Sequence, residues 1–118
     1  MSDAERIGAI VRVAANAATD VKAEDVKVLD VRGLVTYTDY MILCSGRNSR
    51  LTRRIAEEVS HKVKAEAGLL PLGTEGGKGG DWILIDFVDF VVHVFTPEAR
   101  EFYRLEVLWK QATVEEFQ

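Results

Sequence analysis

The chain has 118 residues, 47% hydrophobic and 29% charged, which suits one packed domain and is too apolar for a disordered segment. No apolar run approaches the roughly 20 residues that span a bilayer. Asp3, Glu5 and Arg6 stand where the apolar core of a signal peptide would begin, so a cytoplasmic protein with no membrane contact is expected. The net charge of −4 argues against wholesale coating of nucleic acid, and the single Cys44 excludes an internal disulfide.

Residues 3–22 predict a helix, opened by the S-x-x-E capping box of Ser2 and Glu5, with Ile7, Ile10, Val11, Ala14 and Ala18 on one stripe. Residues 26–31 and 39–45 predict two strands, the second nearly all apolar and therefore central. Asn48 or Ser49 caps a helix that buries Leu51, Ile55, Ala56, Val59 and Val63 and ends at Gly68. Residues 69–80 hold five of the nine glycines and read as a loop. Two strands follow at 82–87 and 90–95. Thr96 and Pro97 then open a last helix reaching Trp109 or Lys110. The order αββαββα implies a single α+β (or α/β) domain over residues 1–112, a mixed β-sheet with helices packed on it. Residues 113–118 are expected to be a flexible tail.

Charge is unevenly placed. Arg47, Arg50, Arg53, Arg54, Lys62 and Lys64 face only Glu57 and Glu58 within their stretch, whereas residues 81–118 carry eight acids against three bases. The basic stretch suits a phosphate or RNA backbone, and the acidic third suits a basic partner; solvated faces explain either equally.

A tight hairpin closed by Val88 and Asp89 would set Ile83 against Val94, Ile85 against Val92 and Phe87 against Phe90, an apolar face throughout. The opposite face then carries Trp82, Leu84, Asp86, Val91, His93 and Phe95. Either a helix covers this face and satisfies Asp86 and His93, or part of it stays open as a docking patch with Trp82 as anchor. The Val88-Asp89 pair is a poor two-residue turn, and a slip of one residue would exchange the faces.

Catalytic chemistry is sparse. His61 and His93 are the only histidines and neither has metal-ligand spacing, Cys44 sits in an apolar strand, and no cofactor or metal is expected. Asp86 and Asp89 are three apart across a turn, so their carboxylates do not converge as nucleotidyl transfer requires. The corner Ser45–Arg50 is the one place where a nucleotide-binding or nucleotidyltransferase-like enzyme could hold phosphate.

Four ordered segments, Val28–Leu34 with Thr38–Gly46, Asn48–Glu57, Glu75–Phe95, and Pro97–Trp109, together resemble the RsfS (iojap-like) family of ribosomal silencing factors over residues 7–110. The resemblance implies a nucleotidyltransferase-like fold without its catalytic site. It also implies binding to the large ribosomal subunit through its basic protein uL-fourteen, a steric block to small-subunit joining, repression of translation when nutrients are scarce, and a homodimer when free. It makes the second hairpin face the docking surface: Trp82 the anchor, Leu84 and Val91 apolar contacts, Asp86 and Asp89 charge partners, and His93 a member without an assigned role. Val88 departs from the family, which often has Gly in an Asp-Tyr-Gly-Asp turn, so Asp89 is the residue that this departure touches most directly.

Overall fold

The computed structural model describes residues 2–117. Its elements are α1 (Asp3–Asp20), β1 (Glu24–Asp30), β2 (Tyr40–Ser45), α2 (Ser49–Ala67), β3 (Gly73–Glu75), β4 (Trp82–Asp86), β5 (Phe90–Phe95), α3 (Pro97–Tyr103), α4 (Leu105–Leu108) and β6 (Thr113–Glu116). One six-stranded mixed sheet runs β3-β4-β5-β2-β1-β6; only β2 and β5 are parallel. The α+β architecture matches the sequence expectation, with three differences.

Local chemistry fixes the long helices. The capping box closes at the start of α1, where the Glu5 amide donates to Ser2 Oγ and the Ser2 amide to Glu5 Oε1. Asn48, not Ser49, caps α2 by accepting from the Leu51 amide at 2.9 Å, and Gly68 ends it at φ 67°. Both helices lie on one face of the sheet. There Ile10, Val11, Ala14, Ile55, Val59 and Val63 pack on Val28, Ile42, Ile83, Ile85, Val92 and Val94. Cys44 belongs to this core, and burial pushes its thiol up to about 12, so it is an inert packing residue.

The first difference is β3, which forms within the glycine-rich stretch expected to be a loop. It pairs antiparallel with β4 from Gly73↔Asp86 to Glu75↔Leu84. Gly76 makes the return possible: at φ 82°, a Cβ there would meet the Trp82 carbonyl oxygen at 1.9 Å. The second difference is the last helix. It breaks at Arg104 (φ 50°), whose amide donates to the Arg100 carbonyl, and a short α4 replaces its continuation. The third is the expected flexible tail, of which residues 113–116 form an edge strand on β1, from Lys27↔Glu116 to Asp30↔Thr113. The Phe117 amide donates to the Val26 carbonyl, and Arg12 pairs with Glu115 at 2.9 Å. Backbone pairing with β1 outweighs the fraying expected of a short polar terminus.

The second sheet face is covered only by short elements. A smaller cluster forms there from Leu29, Val31, Met41, Leu43, Phe95, Leu105 and Ala112, with Trp82, Ala99 and Trp109 packed against it. Arg100 ties this cover down. Though buried, its guanidinium donates to the Asp25 carbonyl at 2.8 Å and Ser45 Oγ at 2.9 Å, and pairs with the Asp25 and Glu106 carboxylates at 3.3 Å.

Two stability outcomes follow. Replacing Arg100 by Leu strands the Ser45 hydroxyl and the Asp25 carbonyl, and should lower unfolding free energy by about 3 kcal/mol, read from urea denaturation. At the hairpin tip, the Asp89 amide donates to the Phe87 carbonyl across Val88, a γ-turn in which an exposed β-branched residue sits at φ 72°. Val88→Gly should therefore raise stability by about 0.5–1 kcal/mol, the relief of left-handed strain exceeding the added freedom of the unfolded chain.

Candidate functional site

The hairpin register is the one that the two-residue turn predicts: Trp82↔Phe95, Ile83↔Val94, Leu84↔His93, Ile85↔Val92 and Asp86↔Val91. Ile83, Ile85, Val92 and Val94 face the long helices, while Trp82, Leu84, Asp86, Val91, His93 and Phe95 share the opposite side. The parallel neighbour β2 extends that side, with Met41 beside Val91, Leu43 beside His93 and Ser45 beside Phe95.

Cover and exposure divide this face. Phe95, Val91 and His93 are buried, whereas Trp82, Leu84 and Asp86 are half-buried and Asp89 is exposed. Val91 and His93, counted among the surface contacts in the sequence, thus lie beneath it. The strand pattern gives the side of the sheet correctly but not the depth of its cover, which comes from residues distant in the chain.

Trp82 is held on three sides. Its ring stacks on Phe95 with centroids 5.1 Å apart, and Tyr103 leans on it at 4.5 Å. Its indole N–H donates to His93 Nδ1 at 3.0 Å. Tyr103 reaches this position because α3 is two turns long and Arg100, one turn earlier, is fixed to β1 and β2. Neither Tyr103 nor Arg100 stands out in the sequence. A lone Arg between Ala99 and Tyr103 on an inward helical stripe is the signal that could have found the clamp. Tyr103 remains 48% exposed, and its neighbour Phe102, edge-on to it at 5.0 Å, is 79% exposed.

At the other end, Asp86 Oδ1 accepts from the Val88 amide at 2.8 Å. The Asp39 and Tyr40 amides both donate to the Asp89 carbonyl, pinning the hairpin tip to the start of β2. Asp86 and Asp89 therefore rim the half-open patch on a fixed turn. The Ser45–Arg50 corner is engaged internally. Ser45 Oγ accepts from Arg100, Asn48 caps Leu51, and a Cβ on Gly46 would meet the Thr52 amide at 2.9 Å. Among the described residues, no three His, Cys, Asp or Glu side chains converge as a metal-holding group, and no helix is long and apolar enough to cross a membrane.

His93 is the chemically unusual member. Because Nδ1 accepts from Trp82, the proton of the neutral ring sits on Nε2, which is buried without a partner among the described residues. Burial lowers its pKa to about 4, well under the ordinary imidazole value of 6.5.

These features define a small α+β domain with one sheet face sealed by long helices and the other presenting a braced aromatic at one end of a hairpin and two carboxylates at its tip. Comparison with known proteins gives that arrangement a family. Residues 4–118 match the family described as "Ribosomal silencing factor during starvation" (RsfS). The ribosomal silencing factor RsfS of Bacillus subtilis is 37% identical over 87% of this chain and 86% of its own. The chloroplastic Iojap protein of Zea mays is 35% identical over 94% of this chain and 47% of its own. A crystal structure of a Chromobacterium violaceum protein superposes with a TM-score of 0.84 at 36% identity, covering 88% of this chain and 86% of that one. A second, from Bacillus halodurans, gives 0.79 at 35% identity, covering 93% and 99%. The chain belongs to the RsfS family of ribosomal silencing factors.

The depressed pKa of His93 has a stability consequence. Between pH 6.5 and about 4 the unfolded chain binds a proton that the folded chain does not. The contribution of the neutral ring is therefore full above pH 6.5 and is lost as pH falls toward 4, by about 3 kcal/mol. The non-titrating variant His93→Asn should lose less stability than the parent between pH 7 and 4.5. Parallel losses in urea melts across that interval would contradict the assignment.

Proposed function

We propose that the protein binds the large ribosomal subunit through the Trp82 face and blocks joining of the small subunit by occupancy, repressing translation when nutrients are scarce. The observation that carries this reading is Trp82 itself: a half-exposed indole braced by Phe95, Tyr103 and His93, on the sheet face that the long helices leave free. A large aromatic already fixed in place loses little conformational freedom on binding, which makes it a good anchor. Leu84 widens the apolar contact; Asp86 and Asp89 supply carboxylates for a basic partner, the chemistry of uL-fourteen. Val91 and His93 support the patch from below.

The reading needs no turnover, cofactor or metal: its action is steric. On the family resemblance, the free protein is a homodimer and acts in the cytoplasm.

An auxiliary contact with ribosomal RNA belongs to the same proposal. Lys22, Arg47, Arg50 and Arg54 line a cleft with Asn48, Leu51 and the single acid Glu57. Arg54 also pairs loosely with Glu58 at 3.5 Å. This concentration of cations on a chain of net charge −4 suits a phosphate backbone.

Sedimentation of purified ribosomal subunits tests both parts. Added protein should travel with the large subunit and reduce the joined fraction. Trp82→Ala should weaken large-subunit binding by about 2 kcal/mol, roughly 30-fold, while the domain stays folded. Unchanged binding by that variant removes the anchor. If the cleft meets RNA, replacing Arg47 and Arg50 with Ala should flatten the dependence of log affinity on log salt by roughly 1 to 2.

A further inference from the structure

We propose that His93 is a positioning residue, whose imidazole Nδ1 holds the Trp82 indole in the orientation presented to the partner. The inference rests on the Trp82 face being the docking surface, and gives a role to the polar side chain buried beneath that face.

The geometry is specific. The indole N–H donates to Nδ1 at 3.0 Å, within normal range for such a bond. His93 is one strand away from Trp82 and on the diagonal, since its direct partner on β4 is Leu84. A long aromatic reaches that diagonal position. The stacking partners alone leave the ring freedom to turn: Phe95 lies under it, and Tyr103 is half-exposed on a helix of seven residues. The hydrogen bond is the directional restraint, and it selects one of the two ways the indole could be flipped.

Folding alone gives no reason for an imidazole at this position. Its row neighbours are Leu84 on β4 and Leu43 on β2, and the residue is 5% exposed. Accepting through Nδ1 forces the proton onto Nε2, where it is buried without a partner among the described residues. An unsatisfied buried donor is costly, so an apolar residue would suit the row better. What His93 supplies and an aliphatic does not is an acceptor for Trp82. The arrangement also turns the indole donor inward, so the partner meets the apolar surface of Trp82 rather than its N–H. The partner group that fits over Trp82 is an aliphatic side chain or the aliphatic stem of a cation.

The test compares His93→Leu, His93→Asn, Trp82→Phe and Trp82→Ala by co-sedimentation with purified large ribosomal subunits. Indole emission is followed in a Trp109→Phe background. His93→Leu should stay folded, bind about tenfold or more weakly, and show red-shifted, more mobile emission from Trp82. His93→Asn places an amide oxygen where Nδ1 stood and should recover both binding and emission. Phe at 82 has no N–H, so in the Trp82→Phe background the His93→Leu change should no longer matter. Full binding by His93→Leu while Trp82→Ala binds poorly overturns the proposal, as does an Asn variant no better than the Leu variant. Full binding by both His93→Leu and Trp82→Ala instead overturns the docking face. Should the Leu variant unfold, Asn against Gln carries the comparison, because Gln moves the acceptor toward the Nε2 position; equal binding by those two overturns the positioning role.

Discussion

The buried guanidinium of Arg100 is the interaction on which the second half of the structure depends. A seven-residue helix has too few internal hydrogen bonds to persist on its own. Thr96 caps α3 and Pro97 preorganises its first turn, but neither fixes where the helix lies. Arg100 does, by joining the helix to the start of β1 through the Asp25 carbonyl and to the end of β2 through Ser45. The same group pairs with Glu106 and so ties down α4, beyond the break at Arg104. Removing a cation from water carries a penalty of several kcal/mol, and two carboxylates plus two neutral acceptors offset it here. Asp25 even holds a left-handed backbone, φ 50°, at the residue whose carbonyl receives the clamp. Tyr103 is one turn beyond Arg100, so the brace on Trp82 inherits its position from this cluster.

That dependence explains the asymmetry of the sheet. The first face is sealed by two long helices whose burial is continuous, from Ile7 to Ala18 and from Thr52 to Val63. The second face has only short helices and loops over it, held by a smaller apolar cluster and by the polar contacts of Arg100. A partner can reach side chains on a face covered this way without displacing a core helix. The half-open patch at Trp82, Leu84 and Asp86 lies where the cover of short elements ends.

How much of this could be read from the sequence depends on whether the information is local. Helix caps are local, and Ser2 with Glu5, Asn48, Gly68, Thr96 and Pro97 all act as their residue types imply. The register of β4 and β5 is nearly local too, since a two-residue loop at Val88-Asp89 leaves one pairing that keeps the apolar residues together. By contrast, β3 exists because β4 has a free edge to pair with, and β6 because β1 has one. Neither fact is visible in G-T-E or T-V-E-E, whose residues are all exposed. The break at Arg104 follows from the clamp four residues earlier, a contact spanning 75 positions to Asp25. For the same reason the sequence placed Val91 and His93 on the correct face but at the wrong depth.

Several local departures from the most stable choice lie on the β4–β5 hairpin or beside it. Val88 holds a backbone conformation that glycine adopts without strain. His93 buries an unpartnered donor among leucines. Trp82 leaves part of a large ring in water, and Phe102 leaves almost all of one. Each has a simpler solution if folding were the sole requirement, whereas the sealed face is packed with buried apolar side chains. Departures that no folding requirement explains commonly mark a constraint other than folding. The departures at Val88 and His93 are also linked in space, because both sit on the hairpin whose far end carries Trp82 and whose tip carries Asp89. A rigid turn sets the carboxylate and a buried imidazole orients the indole. The hairpin thereby presents one fixed pattern of apolar surface and negative charge, which is what the proposed recognition by occupancy requires.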